Sequence, residues 1–203
     1  MKLYNSIGPN PHVVRMFIAE KGLDMEMVKV DIKAAENRRE PYLSINQSGT
    51  CPALELDDGS HLAEITAICE YLEEKKPDPP LIGRTPEERA ETRMWVRRMD
   101  LGIFEPLQAG FRSAEGLEMF KSRLHVMPQA AADLKQIAQE NLAWLDKQIA
   151  GRKYICGGRM TLADLMLFAF LAFGTDVGQP VNPELKNVSA LYARMKARSS
   201  AVA

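Results

Sequence analysis

The chain has 203 residues, 46% of them hydrophobic, with 26 Lys+Arg against 27 Asp+Glu and a net charge of −1. That length can bury a real core as one large domain or two small ones, and near-neutrality excludes a protein built to neutralise nucleic-acid phosphates. The balance is uneven, however: residues 1–80 carry 9 basic and 14 acidic side chains, a net of −5, and residues 81–203 a net of +4. Such a split points to two units.

In chain order, Lys2–Asn5 is a short apolar strand, followed by a turn containing Gly8, Pro9 and Pro11. Val13–Lys21 has helical spacing, with Val13, Val14, Phe17 and Ile18 inward and Gly22 at the position of a C′ glycine. Met25–Ile32 alternates as a half-buried strand, while Ala34–Glu40 is a weak helix or irregular. Ala53–Leu56, Asp57-Asp58-Gly59 and Ser60–Leu62 read as strand, tight turn and strand. Ile65, Ile68, Cys69 and Leu72 then form the apolar stripe of an amphipathic helix. The order β-α-β-α-β-β-α is a small α/β unit.

Three prolines within residues 77–80 predict a stiff connection, with the first domain over 1–76, a linker over 77–86 and a second domain over 87–203. Thr85, Pro86, Glu87 and Glu88 supply the signals of a helix start. Helices are expected over 87–104, 116–126, 130–149, 162–173 and 184–197, without strands. Thr161 and Asp164 stand at the spacing of a capping box ahead of a helix apolar nearly all round, the expected buried centre of an all-helical bundle.

Three cysteines (Cys51, Cys69, Cys156) form no C-x-x-C, and His12, His61 and His125 are scattered, so no metal site is expected. The opening residues lack the apolar stretch of a signal peptide, and the longest apolar run, Leu165–Phe173, is nine residues, against roughly 20 for a membrane span. A cytoplasmic protein with no membrane or nucleic-acid partner is expected.

The informative segment is Gly49-Thr50-Cys51-Pro52-Ala53-Leu54, followed by Ala63-Glu64-Ile65. A proline directly before a short strand belongs at its first position or in a turn. With the Cys51–Pro52 bond cis, the backbone of residue 51 turns outward and offers an N–H and a C=O to a docked peptide. Glu64 opens a helix whose first amides suit a carboxylate, while its own carboxylate suits an ammonium group. Together these would grip a small zwitterionic peptide.

With these motifs, Lys2-Leu3-Tyr4, Ala19-Glu20-Lys21-Gly22, Asn46, Ala67-Ile68, Tyr71-Leu72 and Gly158-x-x-Thr161-Leu162-Ala163-Asp164, the chain resembles the cytosolic glutathione transferases along nearly its whole length. It is similar to bacterial members that lack the standard catalytic Tyr, Ser or Cys. The resemblance implies a thioredoxin-like α/β domain, an all-α C-terminal bundle, glutathione as co-substrate, an electrophilic small-molecule acceptor and a homodimer in which the acidic half of one chain packs on the basic half of its partner. It implies a role in detoxification. It also implies that Thr50 belongs to the glutathione-binding residues, that the backbone of Cys51 pairs with the cysteinyl part of glutathione, that Pro52 is the cis-proline, that Glu64 with the Ile65 amide holds the γ-glutamyl end, and that Arg38 or Arg39 meets the glycine carboxylate.

Two residues depart from the family pattern. Cys51 replaces Val or Ile, either as a packing substitute or as a thiol able to form a mixed disulfide with glutathione. Ile65 replaces Ser, removing one hydrogen bond worth roughly 1 kcal/mol. Ser6 and Asn10 are the candidate thiol-activating groups. Asn10 lies in Pro9-Asn10-x-His12, similar to a turn in a disulfide-reducing bacterial class, and His125 or Arg112 would hold a water if the chain followed a fungal class. Trp95, Met99, Ile103, Phe104 and Phe111 are the expected acceptor pocket. Three functions stay open: conjugation of glutathione to an apolar electrophile, glutathione-dependent disulfide reduction, and a non-catalytic binding module.

Overall fold

A computed structural model describes all 203 residues. They divide into two units, Met1–Arg84 with Ser199–Ala203, and Thr85–Arg198.

The first unit contains β1 (Lys2–Asn5), α1 (Pro9–Glu20), β2 (Glu26–Lys29), a 3₁₀ turn at Glu36–Arg38, α2 (Tyr42–Ile45), β3 (Ala53–Glu55), β4 (His61–Ala63) and α3 (Ile65–Lys75). The sheet order is β2-β1-β3-β4, with β1 and β2 parallel and the other pairs antiparallel. Leu3 and Leu54 are register partners and fully inaccessible, as are Val13, Val14 and Phe17 of α1 and Ile68 and Leu72 of α3. This is the thioredoxin-like arrangement expected of the first domain. The helix α1 begins at Pro9, four residues earlier than periodicity suggested, because Pro9 is pre-set for a first helical position and Gly8, at φ 103°, supplies the turn before it.

The segment expected to be a linker is folded onto this unit. Leu81 and Ile82 are each 1% exposed, and the Glu73 carboxylate accepts their amides at 3.1 and 2.9 Å. The boundary therefore falls at Arg84, and residues 199–203 belong with the first unit rather than the second.

The second unit is helical: α4 (Pro86–Met99), a π-helical turn at Asp100–Phe104, α5 (Glu105–Ser113), α6 (Leu117–Phe120), α7 (Ala131–Gln148), α8 (Leu162–Asp176) and α9 (Lys186–Lys196). The expected helix over 116–126 shrinks to α6. The helix expected to stop at Phe104 runs on to Ser113, because the wider π turn ahead of Pro106 accommodates a residue with no amide to donate. Leu162–Leu171 of α8 are buried, and Phe104 stacks on Phe170 at 4.2 Å. The capping box is present: the Thr161 amide donates to Asp164 Oδ2 at 2.7 Å, and the Ile155 amide donates to Oδ1 at 2.9 Å. An Asp164→Asn change leaves one of these buried amides facing an NH₂ group. It should cost about 1–2 kcal/mol, read as a lower urea midpoint.

Candidate functional site

The sheet register gathers the site. Tyr4 pairs with Ala53, and Ala53 pairs with Ala63. The residues just beyond those strands therefore leave the sheet at one end: Ser6–Gly8 after β1, Cys51–Pro52 before β3 and Glu64 after β4. The helices α1 and α3 also begin there.

The Cys51–Pro52 bond is cis. The loop before it is held from behind: Tyr42 Oη and Asn46 Nδ2 donate to the Thr50 carbonyl at 2.6 and 2.9 Å, and Thr50 itself is exposed. Asn37 Nδ2 donates to the Gly49 carbonyl at 2.6 Å. A Cβ on Gly49, at φ +61°, would lie 2.9 Å from the Asn37 carbonyl, so only glycine allows the two loops to meet. Tyr42 and Asn37 are site-building residues that the sequence did not single out, since both sit in a short charged stretch without periodicity.

The Cys51 thiol is half-buried and donates to Tyr42 Oη at 3.2 Å. Burial pushes its pKa up, with the Tyr42 hydrogen bond opposing. Such a thiol is protonated at neutral pH, the state of a packing residue rather than a nucleophile.

Glu64 is the N-cap of α3 at φ 70°, a conformation that costs a non-glycine residue on the order of 1 kcal/mol. Its side chain is exposed and does not cap the helix. The strain turns the carboxylate outward and leaves the first amides of α3, Ile65 included, as donors. A carboxylate beside a helix N-terminus is a two-signed site, suited to the ammonium and carboxylate of an α-amino acid.

Of the two arginines, Arg38 packs against this site: its Nη1 donates to the Ser48 carbonyl at 3.2 Å, and its Nε is buried without a partner. Arg39 is exposed and donates to the Ala34 carbonyl.

The two thiol-activating candidates separate. Ser6 is 8% exposed, and its hydroxyl donates to the Val30 carbonyl at 2.6 Å. A hydroxyl has one proton to donate, so Ser6 is a structural tie and the expectation of a catalytic role is corrected. Asn10 is half-buried in the first turn of α1. Pro9 and Pro11 have no amide and the His12 amide bonds the Gly8 carbonyl, so Asn10 supplies that turn's remaining backbone donor along with its side-chain amide.

His12 fixes this turn from the other side, its Nε2 lying 3.0 Å from the Ala201 carbonyl. Burial lowers its pKa, with the Ala201 bond opposing. A folded-state value below the unfolded one means that the stability linked to His12 is present at neutral pH and is lost as pH falls from about 6.5 through the folded value. Urea midpoints at about pH 7.5 and about pH 5.5 should show the wild type losing more stability than His12→Gln, which keeps a donor but cannot titrate.

The expected acceptor pocket is largely corrected. Met99, Ile103 and Phe104 are at most 1% exposed and Trp95 is 4% exposed, all in the core of the helical unit. Their apolar spacing made them inward-facing, which is the same signal a pocket gives. Phe111 is half-buried, edge-on to Phe120 and Phe173. Arg112 is engaged with Gln108 and Glu105 within α5, and His125 is exposed.

Family models for "Glutathione S-transferase, N-terminal domain" and "Glutathione S-transferase, C-terminal domain" match residues 7–75 and 128–194. Glutathione S-transferase 2 of Saccharomyces cerevisiae is 32% identical over 200 residues, covering 95% of this chain and 84% of the relative. Maleylacetoacetate isomerase of Pseudomonas aeruginosa is 30% identical, covering 95% of this chain and 91% of the relative. The crystal structure of Gtt2 from Saccharomyces cerevisiae superposes with a TM-score of 0.92 at 31% identity, covering 100% of this chain and 99% of that one.

Proposed function

Since the chain belongs to the glutathione S-transferase family, we propose that it conjugates the thiolate of glutathione to an electrophilic acceptor with an apolar body. The observation that carries this reading is the register Tyr4–Ala53–Ala63, which brings the Cys51 backbone, Glu64 and the start of α1 to one end of one sheet. In this reading the Cys51 amide and carbonyl pair with the cysteinyl backbone beside Thr50 and Pro52. Glu64 takes the γ-glutamyl ammonium, the Ile65 amide takes its carboxylate, and Arg38 meets the glycine carboxylate.

Conjugation needs a thiolate at neutral pH, whereas a free thiol titrates near about 8.5. Lowering that by about two units takes about 2.7 kcal/mol in favour of the ionised form. Asn10 provides the means: two donors at the positive end of α1, in a half-dry turn. The sulfur then attacks the acceptor carbon and the leaving group departs with the electron pair. Disulfide exchange through Cys51 is the weaker reading, because burial raises that thiol's pKa and the Tyr42 hydrogen bond only opposes the rise.

The protein should be retained on immobilised glutathione and turn over a halogenated aromatic faster than hydroxyethyl disulfide. In Asn10→Ala, the pH–rate profile should move to higher pH, with kcat falling about tenfold or more at neutral pH. Failure of both retention and turnover would leave a non-catalytic module. We further propose a cytoplasmic detoxifying homodimer in which the −5 of one half meets the +4 of the other, orienting the partners more than tightening them.

A further inference from the structure

The loop ahead of β3 offers its backbone in a fixed direction. The Thr50–Cys51 peptide is trans, so its C=O and N–H point opposite ways. The carbonyl faces inward, where Tyr42 and Asn46, 3% and 8% exposed, donate to it at 2.6 and 2.9 Å. Two donors fill both lone pairs of that oxygen, which leaves the peptide plane little freedom to turn. The Cys51 N–H is thereby held outward, and it donates to no backbone carbonyl of the chain.

Both arms of this clamp are themselves oriented. The Ser48 amide and hydroxyl donate to Asn46 Oδ1 at 3.2 and 2.9 Å. The Asn46 Nδ2 protons are then free for Thr50, one for its carbonyl and one for its Oγ1 at 3.1 Å. On the other side the Cys51 thiol donates to Tyr42 Oη at 3.2 Å, so the single phenolic proton goes to the Thr50 carbonyl. Burial, with the Cys51 hydrogen bond adding to it, pushes the Tyr42 pKa up, so that proton is present throughout the neutral range.

We propose that Tyr42 is a positioning residue for glutathione: with Asn46, and through the Thr50 carbonyl, it aims the Cys51 N–H at the cysteinyl C=O and so sets the preference for a thiol that carries this carbonyl. This role rests on the proposed docking of the cysteinyl backbone at residue 51, and it adds the side chains that make residue 51 a donor. Tyr42 acts on that backbone contact and not on the sulfur, whose activation is assigned to Asn10. Its contribution therefore falls on glutathione affinity rather than on kcat.

The test is a calorimetric titration of the full chain with two thiols: glutathione, and γ-glutamylcysteamine, which keeps the γ-glutamyl group, the amide N–H and the thiol but has no cysteinyl carbonyl. Tyr42→Phe should raise the glutathione Kd about fivefold or more and leave that of γ-glutamylcysteamine within about twofold, the signature of one lost hydrogen bond. With a halogenated aromatic as acceptor, KM for glutathione should rise while kcat stays within about twofold. Asn46→Ala opens the same clamp from its other arm and should show the same selective loss, which decides the matter if Tyr42→Phe folds poorly. Unchanged glutathione affinity in these variants, or equal losses of the two thiols, would overturn the positioning role alone. Failure of the wild type to bind glutathione would overturn the docking at residue 51 and this role with it.

Discussion

Replacing Lys21 with Met should destabilise the protein by about 3–5 kcal/mol, the largest effect expected of any single change considered. The side chains of Lys21 and Glu73 are 0% and 1% exposed and form an ion pair. Each also serves the backbone of the segment that follows α3. Lys21 Nζ donates to the carbonyls of Lys76 at 2.8 Å, Pro77 at 3.4 Å and Pro79 at 2.5 Å, while Glu73 accepts the amides of Leu81, Ile82 and Gly83. Without the ammonium, a carboxylate stays buried with no counter-charge and three carbonyls lose their donor. In Lys21→Met/Glu73→Leu the uncompensated charge is gone, but the backbone groups remain unpaired. That double variant should therefore be less damaged than the two single changes added together, though still below wild type. Urea midpoints on the four proteins measure the cycle, and hydrogen exchange at the amides of residues 81–83 should rise in the single variant. A loss under about 1 kcal/mol for Lys21→Met would show that the pair is not structural.

This pair also marks where sequence reading stops. The strands of the first unit and its helices α1 and α3 announce themselves through local alternation and spacing, whereas α2 (Tyr42–Ile45) lies beyond the weak helix expected over 34–40. Even the capping box of α8 is legible, because Thr161 and Asp164 are three residues apart. The Lys21–Glu73 latch is not, since its members are 52 residues apart and each looks like an ordinary solvated charge. Residues 77–86 therefore read as a linker, although Pro79 and Leu81–Gly83 within them are pinned by this pair. The same blindness to long-range contacts placed Met99, Ile103 and Phe104 in a pocket: an inward apolar stripe looks alike whether it faces a ligand or a neighbouring helix. Ser6 failed for a related reason, its partner being the Val30 carbonyl of the next strand. The cis bond at Pro52 and the place of Glu64 at a helix start were legible because both are local, a proline entering a strand and an acid ahead of an apolar stripe.

The functional prediction with the largest expected effect concerns that helix start. Glu64→Gln removes the charge that would hold an ammonium group while keeping the side chain's length. A hydrogen bond to a charged group contributes about 1.5–3 kcal/mol, so the glutathione Kd should rise about tenfold to a hundredfold. The strained backbone at φ 70° belongs to the same position, which allows a second arm to separate binding from stability. Glu64→Gly should relieve the strain and stabilise the fold by up to about 1 kcal/mol, yet bind glutathione at least as poorly as Glu64→Gln. The neighbouring residue gives the opposite sign. Ile65 occupies the first helical position beside the free amides, where a hydroxyl would add one donor for the γ-glutamyl carboxylate. Ile65→Ser should tighten glutathione by about fivefold, corresponding to roughly 1 kcal/mol. Calorimetric titration of all three variants decides the matter. If Glu64→Gln binds like the wild type while Glu64→Gly is stabilised, the strain at residue 64 serves something other than the ammonium group, and the assignment of the γ-glutamyl end to the start of α3 fails.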